Sequence, residues 1–303
     1  MNSTNVSFRG PPENSTAVLE RLADDWDAFT PEVRKAARYV LENPLDVGIL
    51  TVREMAEAAH IKPNTLMRMA RQAGFDGYDE FRAPFRDAIR RGEASFPDRA
   101  RWLQSFRRSG EMGCLYADMV NSAISNIEES FAGISTDAFR NAAESIWNSR
   151  NVYTLGVGVN SANARNFTYL ASTGMTGFHA IPRPGSVAMD DLAWADDRDA
   201  LIAMTCRPYR SEVVEAVRLA RSQEIAVIAI SDSPASPIIM DASHRFVVSA
   251  DTPQFFPSSI ATIAVLETLL SFVIALSSDE TVERVEKFHK RRHQLGIYME
   301  VPK

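Results

Sequence analysis

Cysteine is nearly absent. Cys114 and Cys206 are the only two in 303 residues, and neither has metal or redox spacing, which excludes a disulfide framework and a CxxC-type centre. The pair fits a reducing cytoplasm, with both thiols expected to be buried and inert. Long apolar runs are missing too. None reaches the ~20 residues that span a bilayer, so no membrane partner is expected. The start, MNSTNVSFRGPPENST, is polar and lacks a signal-peptide pattern; residues 1–17 are expected to be disordered. A basic surplus is lacking as well, since the net charge is −6. Taken whole, that sign opposes nucleic-acid binding. Divided, residues 1–110 carry +1 and the remainder −7, so the anionic surplus lies outside the first third. Hydrophobic content of 45% and a charged share of 24% allow real cores, and the length allows two domains.

What is present centres on Thr51 to Gly74, TVREMAEAAHIKPNTLMRMARQAG. Thr51 and Glu54 have capping-box spacing. Met55, Ala56 and Ala59 supply an apolar, small inner face. His60-Ile61 makes a turn, and Pro63 suits the first position of a second helix. Leu66 and Met69 turn inward, leaving Lys62, Asn64, Thr65, Arg68 and Arg71 to face out. The pattern is a helix-turn-helix, whose second helix reads the DNA major groove. His60 stands where glycine is usual and must accept a left-handed backbone or a reshaped turn. The competing reading is a plain helical hairpin.

Around this stretch, residues 18–92 read as one helical domain. Val18, Leu22, Trp26 and Phe29 recur at helical spacing, Thr30-Pro31 opens the next helix and Asn43-Pro44 closes it. The run GFDGYDEFRAPFRDAIRRG follows, with Pro84 expected to kink or break its helix. Residues 93–110 read as a solvated connector. Two helices are expected over 111–148, one through Leu115, Met119, Ile124 and Ile127.

From there short apolar runs alternate with helical segments: Val152–Leu155, Phe178–Ile181, Ala200–Met204, Ala226–Ile230 and Arg245–Val248. Continuous apolar runs mean strands covered on both faces, and strand–helix alternation means right-handed crossovers in a parallel sheet. A three-layer α/β domain over 111–276 is the expectation, closed by an apolar helix through Leu266 and Leu269. A charged helix and tail occupy 277–303.

Ligands bind at the carboxyl ends of such strands. The loop after the first strand, GVGVNSANAR, offers Gly158, Asn160 and Ser161 beside a helix start suited to an anion. The loop after the third strand, TCRPYRSE, offers Thr205, Arg207, Arg210 and Ser211. Two guanidiniums there suit a phosphate or carboxylate; alternatively they lie over Tyr209 or pair with Asp190, Asp191 or Glu212. Ser258 precedes the closing helix. No catalytic base stands in these loops, since Glu212 falls in the following helix; neither a catalytic set, nor a metal, nor a cofactor is expected. His179 and His244 are isolated, and His289 with His293 lacks a third ligand.

The order of parts, with GFDGYDEFR behind the helix-turn-helix and a sugar-isomerase-type domain after it, resembles the RpiR/MurR family of bacterial transcriptional regulators. The resemblance implies a flavodoxin-like five-stranded sheet and a homodimer or homotetramer. It further implies operator DNA as a partner, and a phosphorylated sugar-derived effector that controls carbohydrate catabolic genes. This chain departs from the family's Ser-x-Ser-Gly-x-Thr loop: of its hydroxyls only Thr205 remains, and Arg207-Pro208-Tyr209-Arg210 follows Cys206. The effector is therefore expected to be a sugar phosphate or sugar acid. A sugar-phosphate isomerase carrying an extra helical domain is the alternative.

Overall fold

The computed structural model describes residues 10–90, 94–110 and 112–299. By contacts they divide into two units. One runs to Ser122 and also includes Asp251–Pro257; the other holds Ala123–Ala250 and the chain from Ser258 onward.

The first unit is all helical. Its elements are α1 (Ser15–Asp24), α2 (Pro31–Glu42), α3 (Pro44–Ile49), α4 (Val52–Ala58), α5 (Pro63–Gln72), α6 (Tyr78–Arg90), α7 (Phe96–Ser109) and the start of α8 (Met112–Gly133). Asn14 caps α1 through a bond from the Ala17 amide, so the first helix begins three residues before the boundary expected at 18; residues 1–9 of the expected disordered start lie outside the described residues. Val18, Val33, Val40, Met55, Leu66, Met69 and Phe81 are fully buried in one core. The run GFDGYDEFR contributes an aromatic chain, with the Phe81 centroid 5.5 Å from Phe75, 5.9 Å from Tyr78 and 5.6 Å from Phe85.

Three expectations change here. α6 runs through Pro84. Proline removes one helical hydrogen bond, but this helix buries Phe81, Phe85 and Ile89, and Arg82 donates to the Val47 and Gly48 carbonyls. Such tertiary packing outweighs the local defect. The expected connector over 93–110 is α7, capped by Ser95 and ended by Gly110 at φ +77°. Trp102 and Phe106, four apart and therefore on one face, are buried with Ile49 and Ile89. Finally, Met119, Ile124 and Ile127 of α8 lie on the exposed side, while Asn126 and Ser130 are buried.

The second unit carries five parallel strands: β1 (Val152–Gly156), β2 (Phe178–Ile181), β3 (Ala200–Met204), β4 (Ala226–Ser231) and β5 (His244–Val247). Their order is β2-β1-β3-β4-β5, the flavodoxin-like arrangement. The helices are α9 (Thr136–Trp147), α10 (Asn160–Ala171), α11 (Ala188–Asp191), α12 (Ser211–Ser222), α13 (Pro237–Met240), α14 (Ile260–Leu276) and α15 (Asp279–Gln294). Phe139, Phe167, Val265 and Leu269 from α9, α10 and α14 cover one sheet face. Leu192, Val213, Val217 and Ile238 cover the other. Ala200 to Met204 are all buried, which is why β3 reads as an unbroken apolar run.

Cys114 is exposed, contrary to expectation. Cys206 is half-buried; burial and the Asp232 carboxylate push its thiol up to about 12, so it stays protonated at neutral pH.

Candidate functional site

The first candidate lies in the helical unit. Thr51 Oγ1 accepts from the Glu54 amide at 3.3 Å while the Thr51 amide donates to Glu54 Oε2 at 2.8 Å, completing the capping box that starts α4. The turn closes through Ile61 N–H donating to the Ala56 carbonyl at 2.9 Å. His60 occupies the left-handed region at φ 52°, a conformation that costs a side chain with a Cβ about 1 kcal/mol relative to glycine. His60→Gly should therefore raise stability by up to about 1 kcal/mol, less glycine's extra chain entropy. Urea unfolding checks this, and a loss above 1 kcal/mol would show that the imidazole has a structural role.

Pro63 sits in the first turn of α5. Lys62, Asn64, Arg68 and Arg71 are exposed along its outer side. Thr65 is not: it is 8% exposed. It stands four residues before the buried Met69, so the two share the inward face. Its amide donates to the Lys62 carbonyl at 2.8 Å, which secures the first turn. Two exposed residues escaped the sequence reading, Arg53 in the first turn of α4 and Gln72 at the end of α5. The signal for Arg53 was its place two residues after the capping threonine, at a helix start.

The second candidate lies at the strand ends of the α/β unit. Gly156 pairs with Met204 and Met204 with Ile230, so the loops leaving β1, β3 and β4 begin side by side. β1 and β3 flank the point where chain order reverses. A Cβ on Gly156 would stand 2.1 Å from the Asn160 carbonyl oxygen; only glycine lets α10 start so close to its strand. Gly158 adopts φ +63° and its carbonyl accepts from the Ser161 amide at 3.1 Å. Asn160 is nearly buried and its Oδ1 accepts from Asn163 Nδ2 at 3.1 Å. Ser161 Oγ is held by Arg165. Neither side chain caps α10, which starts without a side-chain cap.

Thr205 is buried, and its Oγ1 accepts from the Arg210 amide at 3.2 Å. Ser231 Oγ donates to the Thr205 carbonyl at 2.6 Å. Arg210, not Ser211, takes the N-cap position of α12, and Ser211 is its exposed first residue. Ser258 is 8% exposed, with Oγ accepting from the Ile260 amide at 3.4 Å.

The guanidiniums are not free charges. Arg207 Nε meets Asp232 Oδ2 at 3.1 Å and Arg210 Nη2 meets Glu212 Oε2 at 3.0 Å. The Glu212 partner was one of the weighed alternatives; Asp232 was missed. Its signal was available, because it is the first residue past β4, the neighbour of β3. The arginine side chains are 67% and 54% exposed, so each pair is worth at most about 1 kcal/mol and yields readily to a competing anion. Each of the two arginines is thus matched by a carboxylate, and the pair adds no net positive charge to this loop. Burial, then the Asp232 carboxylate, raises the Tyr209 hydroxyl above its usual range.

Outside these sites, His244 Nε2 lies 2.8 Å from Ser145 Oγ, and burial holds its imidazole below the ordinary histidine value. His289 and His293 face each other at 3.1 Å between Nε2 atoms. No single described helix is long and apolar enough to cross a membrane.

A helix-turn-helix with an exposed, basic second helix, joined in one chain to a doubly wound α/β unit with a strand-end crevice, defines a DNA-binding regulator with a sensing domain. Residues 16–91 match the helix-turn-helix domain of the rpiR family and residues 145–275 the SIS domain. The chain therefore carries the helix-turn-helix domain of the rpiR family followed by a SIS domain. It is 21% identical to the HTH-type transcriptional regulator HexR of Pseudomonas aeruginosa, over 84% of this chain and 88% of that protein. It is 22% identical to an HTH-type transcriptional regulator of Caldanaerobacter subterraneus subsp. tengcongensis, over 89% and 95%. Among solved structures, the NanR protein of Vibrio vulnificus complexed with ManNAc-6P superposes with a TM-score of 0.52 at 19% identity, covering 92% of this chain and 98% of that one. The sugar isomerase domain of an RpiR transcription factor from Sphaerobacter thermophilus gives 0.55 at 20% identity, over 58% and 98%.

Proposed function

We propose that α5 reads operator DNA through Lys62, Asn64, Arg68 and Arg71, and that the α/β crevice senses a small anionic sugar derivative. Arg53, at the N-terminus of α4, holds a backbone phosphate, since the first helix of this motif crosses the backbone. The observation that carries the DNA reading is the exposure of those four side chains on a helix whose other face is fully packed.

For the effector, the supporting geometry is the neighbouring ends of β1 and β3, which bring the loop of Gly158, Asn160 and Ser161 beside the loop of Thr205, Arg207, Arg210 and Ser211; Ser258, just before α14, is the further hydroxyl of the reading. NanR was solved with ManNAc-6P; for this chain we take from it only the ligand class, a sugar phosphate or sugar acid. Its anionic group replaces Asp232 on Arg207 or Glu212 on Arg210, gaining charge-assisted hydrogen bonds. The chain is read as a regulator without catalytic turnover and as a cytoplasmic protein. Two copies act together, because one helix-turn-helix spans too few base pairs for selectivity. The exposed Tyr116, Val120 and Ile124 of α8 and Ile274 of α14 are apolar surface available for that pairing.

A thermal-shift screen against sugar phosphates, sugar acids and neutral sugars tests the ligand class. A ligand that binds only the folded state at 100 times its Kd adds about 2.7 kcal/mol. An anionic ligand should raise the melting temperature of the parent, and Arg207→Ala or Arg210→Ala should abolish the shift. A shift from neutral sugars alone would overturn the anion reading, and turnover of a sugar phosphate would favour an isomerase.

A further inference from the structure

The segment Asp251–Pro257 lies between β5 and α14, yet its contacts place it in the helical unit. Its two ends are pinned together in the α/β unit, where the Ser258 amide donates to the Ala250 carbonyl at 3.0 Å. The entrance is held by Ser249, whose amide donates to Ser130 Oγ and whose hydroxyl donates to Asn126 Oδ1, both at 2.8 Å. Within the helical unit, Arg99 of α7 is 2% exposed and donates from Nη2 to the Thr252 carbonyl at 2.6 Å and to the Arg90 carbonyl at 3.3 Å. The Phe96 and Phe256 rings stand 4.3 Å apart, and Thr252 is itself buried. A buried guanidinium without acceptors is strongly unfavourable. If the segment leaves α7, the Arg99 guanidinium loses the shorter of these two acceptors, and burial already weakens that cation's proton affinity against the support of Asp251.

We infer that Asp251–Pro257 is the tether through which events at the start of α14 reach the helical unit, with Arg99 as the positioning residue that holds it. Ser258, which the effector reading above assigns to the ligand, follows the tether directly. A ligand that moves Ser258 pulls on Thr252 and hence on α7, which packs beside α6 through Trp102 and Ile89. The continuous helix α8 is the rival route, and a change at Arg99 leaves it intact. The use of the tether in sensing rests on the effector reading above; its existence does not.

Hydrogen exchange on the full chain, without ligand or DNA, tests it. Arg99→Met and Phe256→Ala should each speed exchange about tenfold or more at Ser258 and at Ile263, whose amide donates to the Ser259 carbonyl. Arg99→Lys, which keeps charge and donors, should stay near the parent, and amides of β3 should not change. Faster exchange confined to α6, α7 and 251–257 would mean that Arg99 has a merely structural role, and would overturn the tether. So would unchanged exchange everywhere. If Arg99→Met does not fold, Phe256→Ala, at a half-buried ring, decides alone. Because exchange needs no effector, failure of the ligand screen leaves this result standing, and the reverse also holds.

Discussion

Gly156→Ala should unfold at markedly lower urea, with a loss of about 3 kcal/mol or more, above the usual cost of overpacking a core. The added Cβ meets the Asn160 carbonyl oxygen at 2.1 Å, its carbon at 2.6 Å and the Ala164 Cβ at 3.0 Å. Two of those atoms are backbone, so no rotamer change relieves the clash; α10 must move away from β1. That movement opens the core around Ala164 and Phe167 and displaces Gly158, Asn160 and Ser161. The same substitution at Gly158 meets open space and only the strain of φ +63°, costing about 1 kcal/mol. A chain with Gly156→Ala that unfolds at the parent's urea midpoint would contradict the packing described for this turn.

Arg68→Ala should weaken operator binding by about 1–3 kcal/mol, roughly 5- to 150-fold, if its guanidinium reads a guanine edge. Arg68 is exposed on α5, so stability should change by no more than about 0.5 kcal/mol. The affinity of the parent should also fall steeply with salt as phosphate contacts release counterions. Equal operator affinity in parent and variant, measured at one stated salt concentration, would remove Arg68 from the interface.

The inner strands were legible because both faces of the sheet are covered there, which leaves apolar runs such as Ala200–Met204 with no polar interruption. The helix-turn-helix was legible because capping and turn chemistry are local: Thr51, Glu54 and Pro63 act within a few residues of themselves. What misled was non-local. Trp102 and Phe106 make α7 part of a core only once Ile49 and Ile89 are brought to them. In α8 the apolar stripe faces outward, and the buried side is polar, because Asn126 and Ser130 serve Ser249 across more than a hundred residues. Arg99 looked like a surface cation until the Thr252 carbonyl, 153 residues on, took its proton-bearing nitrogen. The Arg207 partner, Asp232, is 25 residues away, just past the end of the next strand. Thr65 alone was misplaced within its own helix, where its spacing to Met69 already indicated the inner face.

The central claim is that this chain selects DNA through α5 as a paired reader. Selection of bound fragments from random duplex DNA by the full chain, run beside Arg68→Ala, tests it most directly. The account predicts an enriched sequence with two related half-sites whose centres lie about 34 Å apart or a multiple of that, and loss of that enrichment in the variant. Identical enrichment by both proteins, or none by the parent at low salt, would contradict it.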